Sequence, residues 1–312
     1  MPPLAASPGA VQAELIGLDW GTSSVRAMLV GAEGRVLAEK AQPWGITRLP
    51  EGGFPAAFAA LAGEWRSALP GLPCLACGMV GSRQGWVEAP YCEAPAGADA
   101  IAAMLAEVPG AGLRIVPGVV QRGDRPDVMR GEETQVVGAL GDAARGLAVL
   151  PGTHSKWVRV EAGRIAGFRT FMTGEVFATL RGHTILGAFA PETAAEDAAF
   201  ARGVLAAHQS DEGLAGLLFS ARALVLTDRL EPGGAIAFLS GLLIGDEIRT
   251  ASTAFAEAGV VPVLIGEAAL CDRYRLAFDL CGIAARVAPP GAAAAGLWRI
   301  ARHAGLIAGG SV

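Results

Sequence analysis

Two short turns carry the residues best suited to holding phosphate. Asp19-Trp20-Gly21-Thr22-Ser23-Ser24 closes one apolar run, and Pro151-Gly152-Thr153-His154-Ser155-Lys156 closes another. In each turn a Gly lets the backbone approach an anion, and turn N–H groups and hydroxyls can donate to phosphate oxygens. The donors are Gly21, Thr22 and Ser23 in the first turn and Gly152, Thr153 and His154 in the second, where Lys156 adds a positive charge. Asp19 ends its strand as an oxygen ligand for a hydrated magnesium ion, a hard cation that prefers oxygen. Either turn alone is also an ordinary Asp/Gly/Thr/Ser turn; two at matching places are a stronger signal. A third candidate is Gly266, which ends the apolar run Val261-Pro262-Val263-Leu264-Ile265 and offers bare backbone to a flat purine. It is equally a plain strand–helix turn. No GxxxxGK[ST] phosphate loop occurs, and no GxGxxG follows a strand.

A pair of acids precedes the second turn, in Arg130-Gly131-Glu132-Glu133-Thr134-Gln135. Carboxylates at a helix start are favourable on electrostatic grounds alone. A Glu placed there is expected to have a low pKa and to be a weak base.

The elements that must position these groups follow from hydrophobic period. Residues 15–40 read as three strands joined by polar turns, a β-meander. Phe54, Phe58, Leu61, Trp65 and Leu69 share one helical face. A buried strand at 74–80 follows, then a loop at 81–95, a helix at 98–108, a strand at 114–120 and a helix at 132–144. The plan then restarts with a strand at 147–150, the second turn, and strands from 157 and 164. Helical stretches are expected over 174–225 and 232–258. A strand at 261–265, a helix at 269–281, a strand at 283–288 and a helix from 292 complete the chain. Two halves with one coarse plan suggest an internal duplication, with a boundary near 145 and a ligand cleft between the halves.

With 312 residues, 52% hydrophobic and 18% charged, the chain can bury two cores. Its net charge of −5, without any basic run, gives no reason to expect nucleic acid as a partner. The five cysteines are odd in number and scattered, as in a reducing cytoplasm. Cys74 and Cys77 form a CxxC without the second pair a zinc site needs, so they read as core residues. Residues 1–14 lack the pattern of a signal peptide, and apolar runs stop short of membrane-spanning length. A cytoplasmic protein without membrane contact is expected; a homodimer is left open.

The paired turns resemble those of the actin-like ATPase superfamily, which includes sugar kinases, actin and heat-shock chaperones. Within it, the chain resembles the 2-dehydro-3-deoxygalactonokinase family. The matching stretches include Asp19-Trp20-Gly21-Thr22, Gly78-Met79-Val80-Gly81-Ser82 with Gly85-Trp86, and Ala89-Pro90-Tyr91. They continue with Val128 to Gln135, Pro151 to Trp157, Phe168 to Glu175, Leu239 to Gly245, and Arg273-Tyr274. The resemblance implies an α/β protein of two duplicated ribonuclease H-like domains, 1–145 with a substrate loop and 146–312 with the nucleoside turn. It implies ATP- and magnesium-dependent phosphorylation of 2-dehydro-3-deoxy-D-galactonate at its 6-hydroxyl. It also implies a general base in the acid pair, with Glu133 before Thr134 as the favoured register and Glu132 as the alternative; Glu175 is the next carboxylate to test. Ser82, Arg83, Trp86, Arg130, Thr173 and Glu175 are the expected substrate residues. Arg suits carboxylate recognition, and Arg26 and Arg169 are further candidates; Trp86 and Tyr91 either stack on substrate or anchor their loop. Other readings within the fold are a different sugar kinase, a phosphatase like the exopolyphosphatases, or an actin-like ATPase.

Overall fold

The computed structural model describes residues 12–188, 197–255 and 257–308. The expectations for residues 1–11, for 189–196 of the helical stretch and for 256 fall outside these. In chain order the strands and helices begin with β1 (Ala13–Trp20), β2 (Val25–Gly31), β3 (Val36–Gln42), α1 (Gly53–Ala68) and β4 (Cys74–Cys77). Next come β5 (Tyr91–Glu93), α2 (Ala98–Ala102), β6 (Ala106–Val108), β7 (Leu113–Ile115), β8 (Gly118–Gln121), β9 (Asp127–Met129) and α3 (Glu132–Leu140). Then follow β10 (Arg145–Leu150), β11 (Ser155–Glu161), β12 (Arg164–Phe171), α4 (Thr173–His183), α5 (Asp197–His208), α6 (Leu214–Leu217) and α7 (Ser220–Leu226). The chain ends with α8 (Ala235–Phe255), β13 (Val263–Leu264), α9 (Ala268–Leu280), β14 (Arg286–Val287) and α10 (Ala292–His303).

The fold is mixed α/β and divides into two compact units. The first holds residues 1–144, 160–167 and 289–312; the second holds 145–159 and 168–288. In the first, a sheet runs β3-β2-β1-β4-β7-β6, and a smaller one runs β5-β8-β9. The central strand β1 buries Leu15, Ile16, Leu18 and Trp20. It pairs antiparallel with β2 and parallel with β4. α1 turns Ala57, Phe58, Leu61, Ala62 and Trp65 into this core. The other large sheet runs β12-β11-β10-β13-β14. In both sheets the first four strands follow one order, third-second-first-fourth; beyond them the first sheet adds β7 and then β6, and the second adds β14. The second core is built on α8, which is apolar almost all round and buried over most of its length. α5 lies against it.

Three elements differ from the sequence reading. The helix expected over 98–108 stops at Ala102, and Ala106–Val108 pairs antiparallel with β7 instead. The strand expected over 114–120 breaks at Pro117 into β7 and β8, which belong to different sheets. A Pro cannot donate to a strand ladder, so the break falls where the chain changes sheets. The last helix, assigned by sequence to the second half, clusters with the first unit. It lies on α3 so closely that a Cβ at Gly296 would come 1.8 Å from Thr134 O, and one at Gly138 1.9 Å from Ala292 O. Arg299 also pairs with Asp142 just beyond α3.

Candidate active site

The first turn connects β1 to β2, which pair down to Trp20 opposite Val25. Gly21 N donates to Ser24 O at 2.9 Å, and Thr22 and Ser23 stand exposed at the tip. A segment the sequence reading did not single out grips this turn from behind. Ile46 N donates to Gly21 O at 3.1 Å, Thr47 Oγ1 to Thr22 O at 2.9 Å, and Trp20 Nε1 to Trp44 O at 2.8 Å. A Cβ at Gly45 would sit 2.0 Å from Thr22 O, so only Gly fits there. The turn's carbonyls thus face inward to donors, which leaves the exposed hydroxyls to meet a ligand.

Asp19 is the penultimate residue of β1, just before this turn, with Cys77 Sγ 4.0 Å from its Oδ1. Burial, with a smaller push from the Glu132 carboxylate, raises its carboxyl above the usual range, and Arg26 opposes this. Glu132 and Glu133 open α3 in the same neighbourhood. Glu133 is 0% exposed; its Oε2 accepts from Gly131 N at 2.7 Å and its Oε1 from Thr134 Oγ1 at 2.9 Å. Burial first, and the Glu132 carboxylate second, push its pKa up to about 8. This reverses the expectation of a low pKa at a helix start: desolvation outweighs the N-terminal field. Glu132 keeps exposed surface, and its Oε2 accepts from Arg130 N at 3.0 Å.

The loop after β4 behaves unevenly. Trp86 packs among Phe54, Phe58 and Trp20, stacked on Phe54 with ring centroids 5.8 Å apart, so it anchors the loop. Arg83 stands in solvent beside Glu88 at 3.6 Å. Arg130 lies over the Tyr91 ring, 4.3 Å from its centroid, and donates from Nη2 to Ala89 O at 2.9 Å. Its Nε and Nη1, and Ser82 Oγ, are buried without a hydrogen-bond partner among the described residues. Arg26 pairs with Glu39 on β3 at 3.5 Å, and Arg169 lies on β12 in the second sheet.

In the second unit, Gly152, Thr153 and His154 form an accessible turn between β10 and β11. Lys156 lies beneath them: it is 4% exposed, and its Nζ donates to His154 O at 3.4 Å. The start of α4 takes the part that residues 44–47 play in the first unit. Glu175 N donates to Thr153 O at 3.0 Å, and a Cβ at Gly174 would lie 2.5 Å from Gly152 O. The Glu175 carboxylate meets His154 Nε2 at 2.5 Å. Thr173 donates its hydroxyl inward to Glu247, a buried acid on α8 that sequence reasoning missed. Gly266 follows β13, the parallel neighbour of β10, and Ile265 N donates to Val149 O at 2.9 Å. A Cβ at Gly266 would be 3.5 Å from Pro151 O, so this turn and the second phosphate-type turn sit side by side at adjacent strand ends. Glu267 caps α9 by accepting from Ala269 N and Leu270 N.

The chain is similar to curated proteins and to a solved structure over most of its length. It is 43% identical over 281 residues to the Rhizobium meliloti (strain 1021) protein named probable 2-dehydro-3-deoxygalactonokinase DgoK1, covering 86% of this chain and 90% of that one. It is 37% identical over 272 residues to the Escherichia coli (strain K12) 2-dehydro-3-deoxygalactonokinase, covering 86% and 91%. The crystal structure of a candidate 2-dehydro-3-deoxygalactonokinase from Sinorhizobium meliloti superposes with a TM-score of 0.84 at 40% identity, covering 92% of this chain and 98% of that one. The family model for 2-keto-3-deoxy-galactonokinase matches residues 19–300, a span that takes in both turns, the acid pair and Gly266. The chain therefore belongs to the 2-keto-3-deoxy-galactonokinase family.

Proposed function

We propose that this protein transfers the terminal phosphoryl group of ATP to the 6-hydroxyl of 2-dehydro-3-deoxy-D-galactonate. The observation that carries the reading is the family match over residues 19–300. The repeated strand order supports a duplicated ribonuclease H-like, actin-like plan. In that plan the turns at 21–23 and 152–154 hold one polyphosphate between them, and the backbone at Gly266 receives the nucleoside. Asp19 is the residue for a magnesium ion, which when bound neutralises phosphate charge. Among the described residues no three His, Cys, Asp or Glu side chains form a metal cage. That fits a hard cation that keeps most of its waters and touches one carboxylate.

The base belongs to the acid pair, and exposure separates the two roles. Glu132, with surface to present, takes the hydroxyl proton as the oxygen–phosphorus bond forms and ADP leaves. Glu133, sealed and with a pKa of about 8, stays protonated at neutral pH. Phosphoryl transfer depends mainly on positioning and charge stabilisation, so a modest base suffices. Arg130 and Ser82 are the groups for the substrate's carboxylate end, because a buried guanidinium edge without a partner costs about 1–3 kcal/mol or more. The five free cysteines suit a reducing cytoplasm. A coupled ADP-release assay tests the reading: the sugar acid should be turned over far better than glucose or galactose. A neutral hexose that outperforms it would refute the assignment.

A further inference from the structure

Glu247 belongs to no part of the site as described so far. It lies within α8 at 2% exposure, and burial pushes its carboxyl above the usual range. Trp157 Nε1 donates to its Oε1 at 2.8 Å. Tyr274 OH donates to its Oε2 at 2.7 Å, and Thr173 Oγ1 donates to the same oxygen. Tyr274 OH is also 3.2 Å from Ser155 Oγ. These donors come from β11, α9 and the first turn of α4.

Packing alone needs no acid here. A buried carboxylate carries a desolvation cost that an apolar side chain of similar size avoids. What a carboxylate adds is direction, because each oxygen fixes where its donors point. Thr173 precedes Gly174 and Glu175, the two residues seated on Gly152 and Thr153. Ser155 follows His154 directly. Through Thr173 on one side and Tyr274–Ser155 on the other, one carboxylate reaches both flanks of the second turn.

We infer that Glu247 is a positioning residue for phosphoryl transfer: it holds the second turn and the start of α4 in the geometry that grips the ATP phosphates. The inference rests on the reading of residues 152–154 as a phosphate-holding turn. It assigns Thr173 an inward task in place of substrate contact, and Glu175 the task of orienting His154.

The test uses the full-length protein with Glu247→Gln, Tyr274→Phe, the double variant and Thr153→Ala. Melting temperature, kcat and the KM of each substrate are measured. Glu247→Gln should raise the KM for ATP about tenfold, the size expected of a hydrogen bond to a charged group. The KM for the sugar acid should stay within about twofold, and the double variant should be no worse than Glu247→Gln, since both cut one chain of bonds. A lower melting temperature with both KM values unchanged would make Glu247 purely structural and overturn the inference. If Glu247→Gln does not fold, Tyr274→Phe decides: the KM for ATP rises about threefold if Tyr274 is a link in that chain, and an unchanged value overturns it. If Thr153→Ala leaves the KM for ATP unaltered, the phosphate-turn reading fails, and the inference falls with it; a response to Thr153→Ala but to neither other variant sinks the inference alone.

Discussion

Among the described residues each unit seals one glutamate, and the two are surrounded differently. Glu133 is held by its own helix start: Gly131 N and Thr134 Oγ1 are its partners, and the neighbouring Glu132 carboxylate works against its ionisation. Glu247 is held by side chains from three separate elements, and all of those hydrogen bonds favour its charged form. Burial raises the pKa of both. One set of partners is local and leaves a proton in place at neutral pH; the other is long-range and spends its donors on fixing directions. Two acids of equal burial thus do different work, and the partner list distinguishes them where the degree of burial does not.

The sharpest way to break this contrast is to compare amides within the acid pair. Glu132→Gln should lower kcat about 10²–10⁴-fold, as expected for loss of a general base. Glu133→Gln should stay within about tenfold of wild type at pH 7, because the amide resembles the protonated acid already there. A dead Glu133→Gln beside an active Glu132→Gln would move the base to the sealed residue. Less severe are the glycines that let each turn be gripped. Gly45→Ala and Gly174→Ala should each cost about 1–3 kcal/mol by forced overpacking, read from denaturant midpoints, and each should raise the KM for ATP. If only one of them does so, the two turns do not share one ligand.

A further test is in pH. A carboxyl whose folded pKa lies above its unfolded value of 4.5 contributes stability that is whole below 4.5 and is lost as pH rises through about 8. Stability should therefore fall between about pH 5 and 8, by on the order of 1 kcal/mol per pH unit from Glu133. Melting scans should show a decline that Glu133→Gln flattens, and Glu247→Gln should act in the same direction, because burial raises that carboxyl too. An equal slope in wild type and Glu133→Gln would mean that Glu133 is ionised in the native state.

The sequence made the strand–turn–strand openings, α1 and α8 readable, because apolar period and Gly-Thr turns are local signals. It located the two Gly-Thr turns and the helix-opening acid pair for the same reason. The fate of Ala106–Val108 was not readable, since only pairing with β7 makes those residues a strand. Lys156 was read as a charge that could neutralise phosphate; its burial and its bond to His154 O were not readable from a local pattern. The pKa of Glu133 was misjudged from its position along a helix, whereas its depth in the unit decides it. Glu247 gave one faint signal, as one of two adjacent acids in the mostly apolar α8 sequence, but its partners lie at 157, 173 and 274. Such distant partners leave no trace in a local pattern.

The return of α10 to the first unit also sets a timetable. The ribosome delivers Asp19, the first turn and the acid pair early, but the helix that α3 leans on follows the whole of the second unit. A nascent chain can fold its second unit while the first still waits for its closing piece. A chain stopped short of residue 292 would carry every motif residue and still leave α3 unsupported at Gly138 and Thr134. The acid pair's support is thus made well after the acids themselves, with the whole of the second unit in between.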